Sequence, residues 1–232
     1  MRSAFRGLTL YGDAPSAEHD SDPSGVGRTV LDLPTGRIEL AHPRDALARI
    51  YEHGTGDDGD AGDPPYWAQP WPSGIELAAL VGGADLAGVR VLELGCGLAL
   101  PSLVAAQRGA RVLATDQAEG ALRYAAHNAR HNGLRLEVAR CDWDDPWCAL
   151  AGAPWDLVLA ADVLYDHASL PALADLLPRL VGDTGEVWLA DQHRPPARAF
   201  LEGCRRWGVV TATATASPDV AVHRIRRAAP TG

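Results

Sequence analysis

In the run Val91-Leu92-Glu93-Leu94-Gly95-Cys96-Gly97, two glycines and an acid close an apolar stretch, and a second acid, Asp116, follows nineteen residues after Gly97. This is the chemistry of a nucleoside-binding turn. Glycine has no Cβ, so Gly95 and Gly97 can take positive φ and let the backbone approach a ligand closely. A helix that starts near Pro101 then aims its free N–H groups and positive dipole end into the same space. An acid roughly 20 residues beyond the turn is placed to accept hydrogen bonds from ribose hydroxyls. A dinucleotide turn needs a third glycine, but the chain reads Gly95-Cys96-Gly97-Leu98-Ala99-Leu100, with only Ala99 off-register, so pyrophosphate is disfavoured. Glu93 would repel phosphate and suits a ligand that carries an ammonium and a sulfonium, such as S-adenosylmethionine.

Other reactive side chains are expected to play smaller parts. His127 and His131 share a helix face at the spacing a zinc site uses, but no third ligand and no intervening glutamate accompany them, so no metal is expected. Cys96 has no histidine neighbour in sequence and reads as a packing residue of the turn. The four cysteines show neither C-x-x-C spacing nor a disulfide framework, the N-terminus lacks a signal-peptide core, and no uncharged stretch approaches the roughly 18 residues that span a bilayer. A reduced, cytoplasmic chain without a membrane segment is expected. All 21 basic residues are arginine, which excludes Schiff-base and phosphate-clamp lysines. A net charge of −9 argues against nucleic acid, and the Arg224, Arg226 and Arg227 cluster reads as a solvated strand edge.

The elements that would position these residues follow a regular alternation. Helices are expected at 73–82, 101–108, 118–131, 169–180 and 195–207, and strands at 89–94, 110–115, 134–139, 155–160 and 185–190. Stretches 208–216 and 220–226, split by Ser217-Pro218-Asp219, read as a terminal antiparallel hairpin. The fold class is therefore α/β: a doubly wound, mostly parallel sheet of seven strands, Rossmann-like. Before it come a mobile tail over 1–25, a hairpin of 29–33 with 37–40 around Pro34-Thr35-Gly36, a helix over 43–52 and a flexible Gly/Asp loop over 54–62. The expected division is 1–62 as tail, hairpin and helix extension, and 63–232 as the cofactor-binding domain.

Several segments together resemble the seven-β-strand protein-lysine methyltransferases, in particular the branch that includes the electron-transfer flavoprotein β-subunit lysine methyltransferase. They are Pro65-Tyr66-Trp67-Ala68-Gln69-Pro70-Trp71-Pro72-Ser73-Gly74, Leu92 to Gly97, Ala114-Thr115-Asp116, Asn128 to Gly133, Cys141-Asp142-Trp143 and Ala161-Asp162-Val163-Leu164-Tyr165-Asp166. The Trp-Pro-Ser-Gly segment and Asp-x-x-Tyr are the more restrictive of these motifs. Ala161-Asp162-Val163-Leu164 stands where DNA-adenine and glutamine methyltransferases carry Asn-Pro-Pro-Tyr.

The resemblance implies that Glu93, Gly95 and Gly97 lie along the methionine part of S-adenosylmethionine. It places Asp116 on the ribose with Gln117 next to it, Asp142 and Trp143 about the adenine, Trp71 over the cofactor, and Ala161 at the sulfonium. Asp162 and Tyr165 would be the catalytic pair, with Asp162 either orienting the acceptor amine or holding the cofactor's ammonium. The implied activity is methyl transfer to a protein side-chain nitrogen, most readily lysine, by a monomer. A small-amine or metabolite N-methyltransferase, and more distantly a non-catalytic module that binds the cofactor, are the alternatives.

Overall fold

A computed structural model describes residues 25–53 and 65–228. The expected tail before Gly25 and the loop over 54–62 lie outside the described residues. In chain order the elements are β1 (Val26–Leu33), β2 (Gly36–Pro43), α1 (Ala46–His53), a 3-10 turn (Tyr66–Ala68), α2 (Pro72–Gly82), β3 (Arg90–Leu94), α3 (Leu100–Gln107), β4 (Arg111–Asp116) and α4 (Glu119–His131). They continue with β5 (Glu137–Arg140), α5 (Trp147–Ala151), β6 (Trp155–Ala161), α6 (Leu170–Leu180), β7 (Val181–Asp191), α7 (Ala197–Cys204), β8 (Gly208–Thr213) and β9 (Ala221–Arg227).

The sheet order is β5-β4-β3-β6-β7-β9-β8, with β9 antiparallel to both its neighbours and the other pairings parallel. The chain leaves β3 toward β4 and β5, then returns to β6 on the other side. This reversal opens a crevice at the carboxyl ends of β3 and β6, where α/β sheets hold ligands.

Both sheet faces are covered, which explains why the central strands are apolar on both sides. Leu92, Leu94, Val158 and Ala160 pack with Leu173, Leu176 and Leu177 of α6 and Phe200 of α7. Val91, Val112, Leu157 and Leu159 pack on the opposite face with Leu77 and Val81 of α2 and Leu103 of α3. Each such buried Val, Leu or Phe side chain contributes about 1.5–3 kcal/mol from leaving water.

The strand and helix assignments agree with the sequence reading to within a few residues, with three informative departures. β7 begins at Val181 rather than 185, directly after α6, because a register shift between Trp155 and Leu157 lets Val181 pair with Trp155 before the regular ladder starts. The α5 helix and the 3-10 turn were not expected; at five and three residues they are too short to show a helical period. The last helix ends at Cys204, and the chain turns at Arg205 to Trp207 before β8.

The N-terminal hairpin belongs to this core. Ile38 and Leu40 are fully buried among α2, α3 and sheet residues. Its free edge is closed by two asparagines one turn apart, Asn128 on α4 and Asn132 at its C-terminal cap. Asn128 accepts from Ala41 N (2.8 Å) and donates to Ala41 O (3.2 Å), while Asn132 accepts from Glu39 N (3.0 Å) and donates to Glu39 O (2.8 Å). These amides imitate a neighbouring strand and satisfy an edge that would otherwise be open.

Candidate active site

The turn after β3 adopts the conformation its glycines allow. Gly95 has φ 63° and Gly97 φ 52°, and Ala99, the off-register third position, is also left-handed at φ 64°. An alanine there costs roughly 1–2 kcal/mol that glycine would avoid. Gly97 is needed for a second reason: a Cβ would lie 2.9 Å from the Trp67 carbonyl oxygen, so the aromatic segment rests directly on the turn. At Gly95 a Cβ would meet Val163 at 3.1 Å and Trp143 at 3.7 Å, which brings the segment after β5 and the segment after β6 onto the same turn.

Asp116, at the end of β4, ties this turn together. Its Oδ2 accepts from Gly97 N (3.0 Å) and its Oδ1 from Ala118 N (2.9 Å). Burial pushes its carboxyl above the ordinary value, opposed by those backbone bonds. The Gln117 backbone adds to these bonds, which leaves the carboxylate about one lone-pair direction for a further donor. Glu93 is almost wholly buried within β3 and accepts from Ser102 N (3.0 Å), capping the first turn of α3 from a distance. Desolvation raises its pKa to about 8. Burial also pushes the Cys96 thiol well up, consistent with a packing residue.

Around this turn lies a cavity of about 920 Å3. Every residue singled out in the sequence for the site lines it: Trp71, Glu93, Gly95, Gly97, Asp116, Gln117, Asp142, Trp143, Ala161, Asp162 and Tyr165. Trp71 is held by its indole N–H on Tyr66 O (2.8 Å), and Asp142 accepts from Asp144 N (3.1 Å) to shape the loop after β5. Trp67 divides its role: its backbone touches the turn while its ring packs on Tyr124 with centroids 5.6 Å apart. Tyr165 is half exposed, its ring 6.1 Å from that of Tyr66.

Asp162 is the most constrained member. It is 7% exposed, sits at φ 56°, and donates its backbone N–H to Ala190 O on β7 (2.9 Å). Its carboxylate is gripped by Arg194: Nε donates to Oδ1 at 3.0 Å and Nη2 to Oδ2 at 2.8 Å, while Gln192 adds a bond to Oδ2 at 3.1 Å. The Arg194 backbone N–H in turn donates to Asp191 Oδ2 (2.9 Å). The bond to Asp162 raises the Arg194 pKa, and burial, with the Asp162 charge adding to it, raises that of Asp191.

Arg194 and Gln192 were not singled out in the sequence, and Tyr66 was read there only as part of the Pro65 to Gly74 segment. A basic residue just beyond the strand next to Asp162 was the available signal, but a pair 32 residues apart shows itself only once β6 and β7 are known to be adjacent.

The donor set suits a cationic nucleoside. Acids Glu93, Asp116, Asp142 and Asp162 line the cavity, and the guanidinium of Arg194 is committed to Asp162. A diol fits Asp116, and a sulfonium or ammonium fits the acidic wall; of the two arginines that line the cavity, Arg194 is committed to Asp162 and Arg140 ends β5. S-adenosylmethionine meets these requirements. Among the described residues no group of three or more His, Cys, Asp and Glu is placed to hold a metal; the stacked rings of His127 and His131 lie beside Glu39, 3.2 Å from His131 Nε2.

A family model described as lysine methyltransferase matches residues 67–206. Protein N-lysine methyltransferase METTL21A of Danio rerio is 34% identical over 163 residues, 66% of this chain and 74% of that protein. The electron transfer flavoprotein beta subunit lysine methyltransferase of Danio rerio is 32% identical over 144 residues, 56% of this chain and 54% of that protein. Among solved structures, the Thermus thermophilus 16S rRNA N2 G1207 methyltransferase in complex with AdoMet and guanosine superimposes with a TM-score of 0.63. The match covers 89% of this chain and 52% of that one at 15% identity, a likeness of fold alone.

Proposed function

The chain belongs to the lysine methyltransferase family and is an S-adenosylmethionine-dependent methyltransferase, and on that premise we propose that it methylates lysine side chains of a protein substrate through the cavity around Gly95 to Gly97. The observation that supports this most is the convergence of the Trp-Pro-Ser-Gly segment, the glycine turn and the Asp-x-x-Tyr motif on one cavity.

In this reading Glu93, Gly95 and Gly97 line the methionine half of the cofactor, Asp116 and Gln117 its ribose, Asp142 and Trp143 its adenine, and Ala161 its sulfonium. Trp71 covers it. Bound S-adenosylmethionine supplies a methyl group on a sulfonium, already a good leaving group. The acceptor nitrogen must therefore present a free lone pair in line with that methyl, and positioning carries most of the rate. Transfer would leave the acceptor nitrogen cationic until it sheds a proton. A lysine amine has an ordinary pKa near 10.4, so it has to be delivered neutral. Asp162 accepts a hydrogen bond from that amine, and Tyr165 offers an aromatic wall beside the developing cation.

The same reading has the enzyme act as a cytoplasmic monomer on protein rather than nucleic acid. The charge of −9 disfavours phosphate backbones, and the four cysteines are free thiols. Incubating the enzyme with radiolabelled S-adenosylmethionine and cell lysate tests the acceptor class. Label is expected in protein and, after acid hydrolysis, on methylated lysine. Label confined to small molecules would transfer the activity to a small amine on the same scaffold.

A further inference from the structure

A lone buried carboxylate beside an acceptor amine presents a problem for this reaction. It binds an ammonium ion strongly, and an ammonium nitrogen has no lone pair with which to take a methyl. Such binding favours the ground state and lowers turnover. Asp162, at 7% exposure, would act this way if it stood alone.

It does not stand alone. A carboxylate offers about four lone-pair directions. Arg194 Nε takes one on Oδ1, Arg194 Nη2 and Gln192 Nε2 take both on Oδ2, and one remains, on Oδ1. The grip is built into the fold. Arg194 is fixed by its own N–H on Asp191, at the end of β7, and Asp162 is fixed by its N–H on Ala190 of the same strand. The left-handed backbone of Asp162 is held by these contacts.

We propose that Arg194 is a specificity-determining residue of the acceptor site: its fork neutralises Asp162, so that the acceptor is not captured as an ammonium ion, and it leaves a single lone pair on Oδ1 to orient a neutral amine. This rests on the placement of Asp162 at the acceptor given above, and it adds a selection for the uncharged form of the acceptor. Arg194 acts through Asp162 and is a positioning residue; the planar, bidentate contact is one that lysine cannot reproduce.

The test uses n-butylammonium at pH 7 as a stand-in for a lysine side chain, titrated into the full chain saturated with S-adenosylhomocysteine. Arg194→Gln is expected to bind it at least about tenfold more tightly than the wild type, the scale of one charge-assisted hydrogen bond. Arg194→Lys keeps the charge and should gain less. In an Asp162→Asn background, where asparagine tolerates the left-handed backbone, Arg194→Gln should gain nothing. With a labelled protein acceptor in hand, Arg194→Gln should lower kcat by at least about tenfold while KM stays level or falls. A merely structural residue would not produce that split.

The proposal is overturned if Arg194→Gln binds the amine no better, or if the gain persists with Asp162→Asn. It is equally overturned if S-adenosylhomocysteine affinity changes instead, which would assign Asp162 to the cofactor. Should Arg194→Gln fail to fold, absence of any gain in Arg194→Lys overturns it. Failure of the methyltransferase reading is separate: it would appear as no cofactor binding by the wild type.

Discussion

Glu93 carries two functions whose demands conflict. Within β3 it caps α3 through Ser102 N and lines the methionine end of the proposed cofactor site, yet its burial leaves it a poor anion. A carboxyl whose folded pKa stands at about 8, above its ordinary 4.5, binds more protons folded than unfolded between those values. Its stabilising contribution is therefore complete below about pH 4.5 and is lost as the pH rises through 8. Glu93→Gln keeps an acceptor for Ser102 N and removes the titration. Urea unfolding from pH 5 to 8 should find the variant gaining on the wild type as the pH rises, by a few kcal/mol at the upper end on the order-of-magnitude scale of such shifts. A difference that stays flat with pH would show that Glu93 does not titrate in this window. The residue types of the turn were legible in sequence because glycine and acid at fixed spacing have few other uses. Arg194 was not, since nothing local to it marks its partner.

At the scale of elements, the hairpin is attached by α4 rather than by the strand that follows it. Asn128 is fully buried and bonds both backbone groups of Ala41 as well as Leu98 O (3.3 Å). Asn128→Ala strands those groups away from water. We expect a loss of about 2–4 kcal/mol in chemical denaturation, several unsatisfied buried groups at about 1 kcal/mol or more each. Amide exchange should quicken first at Glu39 and Ala41; uniform exchange changes across the sheet would place the effect elsewhere. The hairpin itself was readable from its turn and alternating residues. Its anchoring was not, because the Asn128 to Gly133 stretch carries no sign of the strand edge that it closes. The long β7 was equally hidden, since its first residues depend on a bulge opposite Trp155.

For the molecule as a whole, the chain carries a net charge of −9, and the lining of the cavity includes Asp142, Asp144 and Asp166. A lysine-bearing acceptor should be drawn in electrostatically, so its KM is expected to rise several-fold between about 50 and 200 mM salt, as screening shortens the reach of surface charge. A KM indifferent to salt would leave recognition to shape and apolar contact. No lysine occurs anywhere in the 232 residues, so methyl-lysine recovered from such assays comes from the acceptor and not from the enzyme. What the sequence determined by itself was local: the glycine turn, the alternating strands and helices, and an acid at the end of the strand that follows the turn, each set by backbone freedom or by a periodicity of a few residues. The order of the strands was a tertiary decision, and with it came the adjacency of β6 and β7 that locks Asp162 into the fork of Arg194. Hydrogen bonds and ion pairs act over about 3 Å in space, and separation along the chain leaves that distance undetermined until the sheet is assembled.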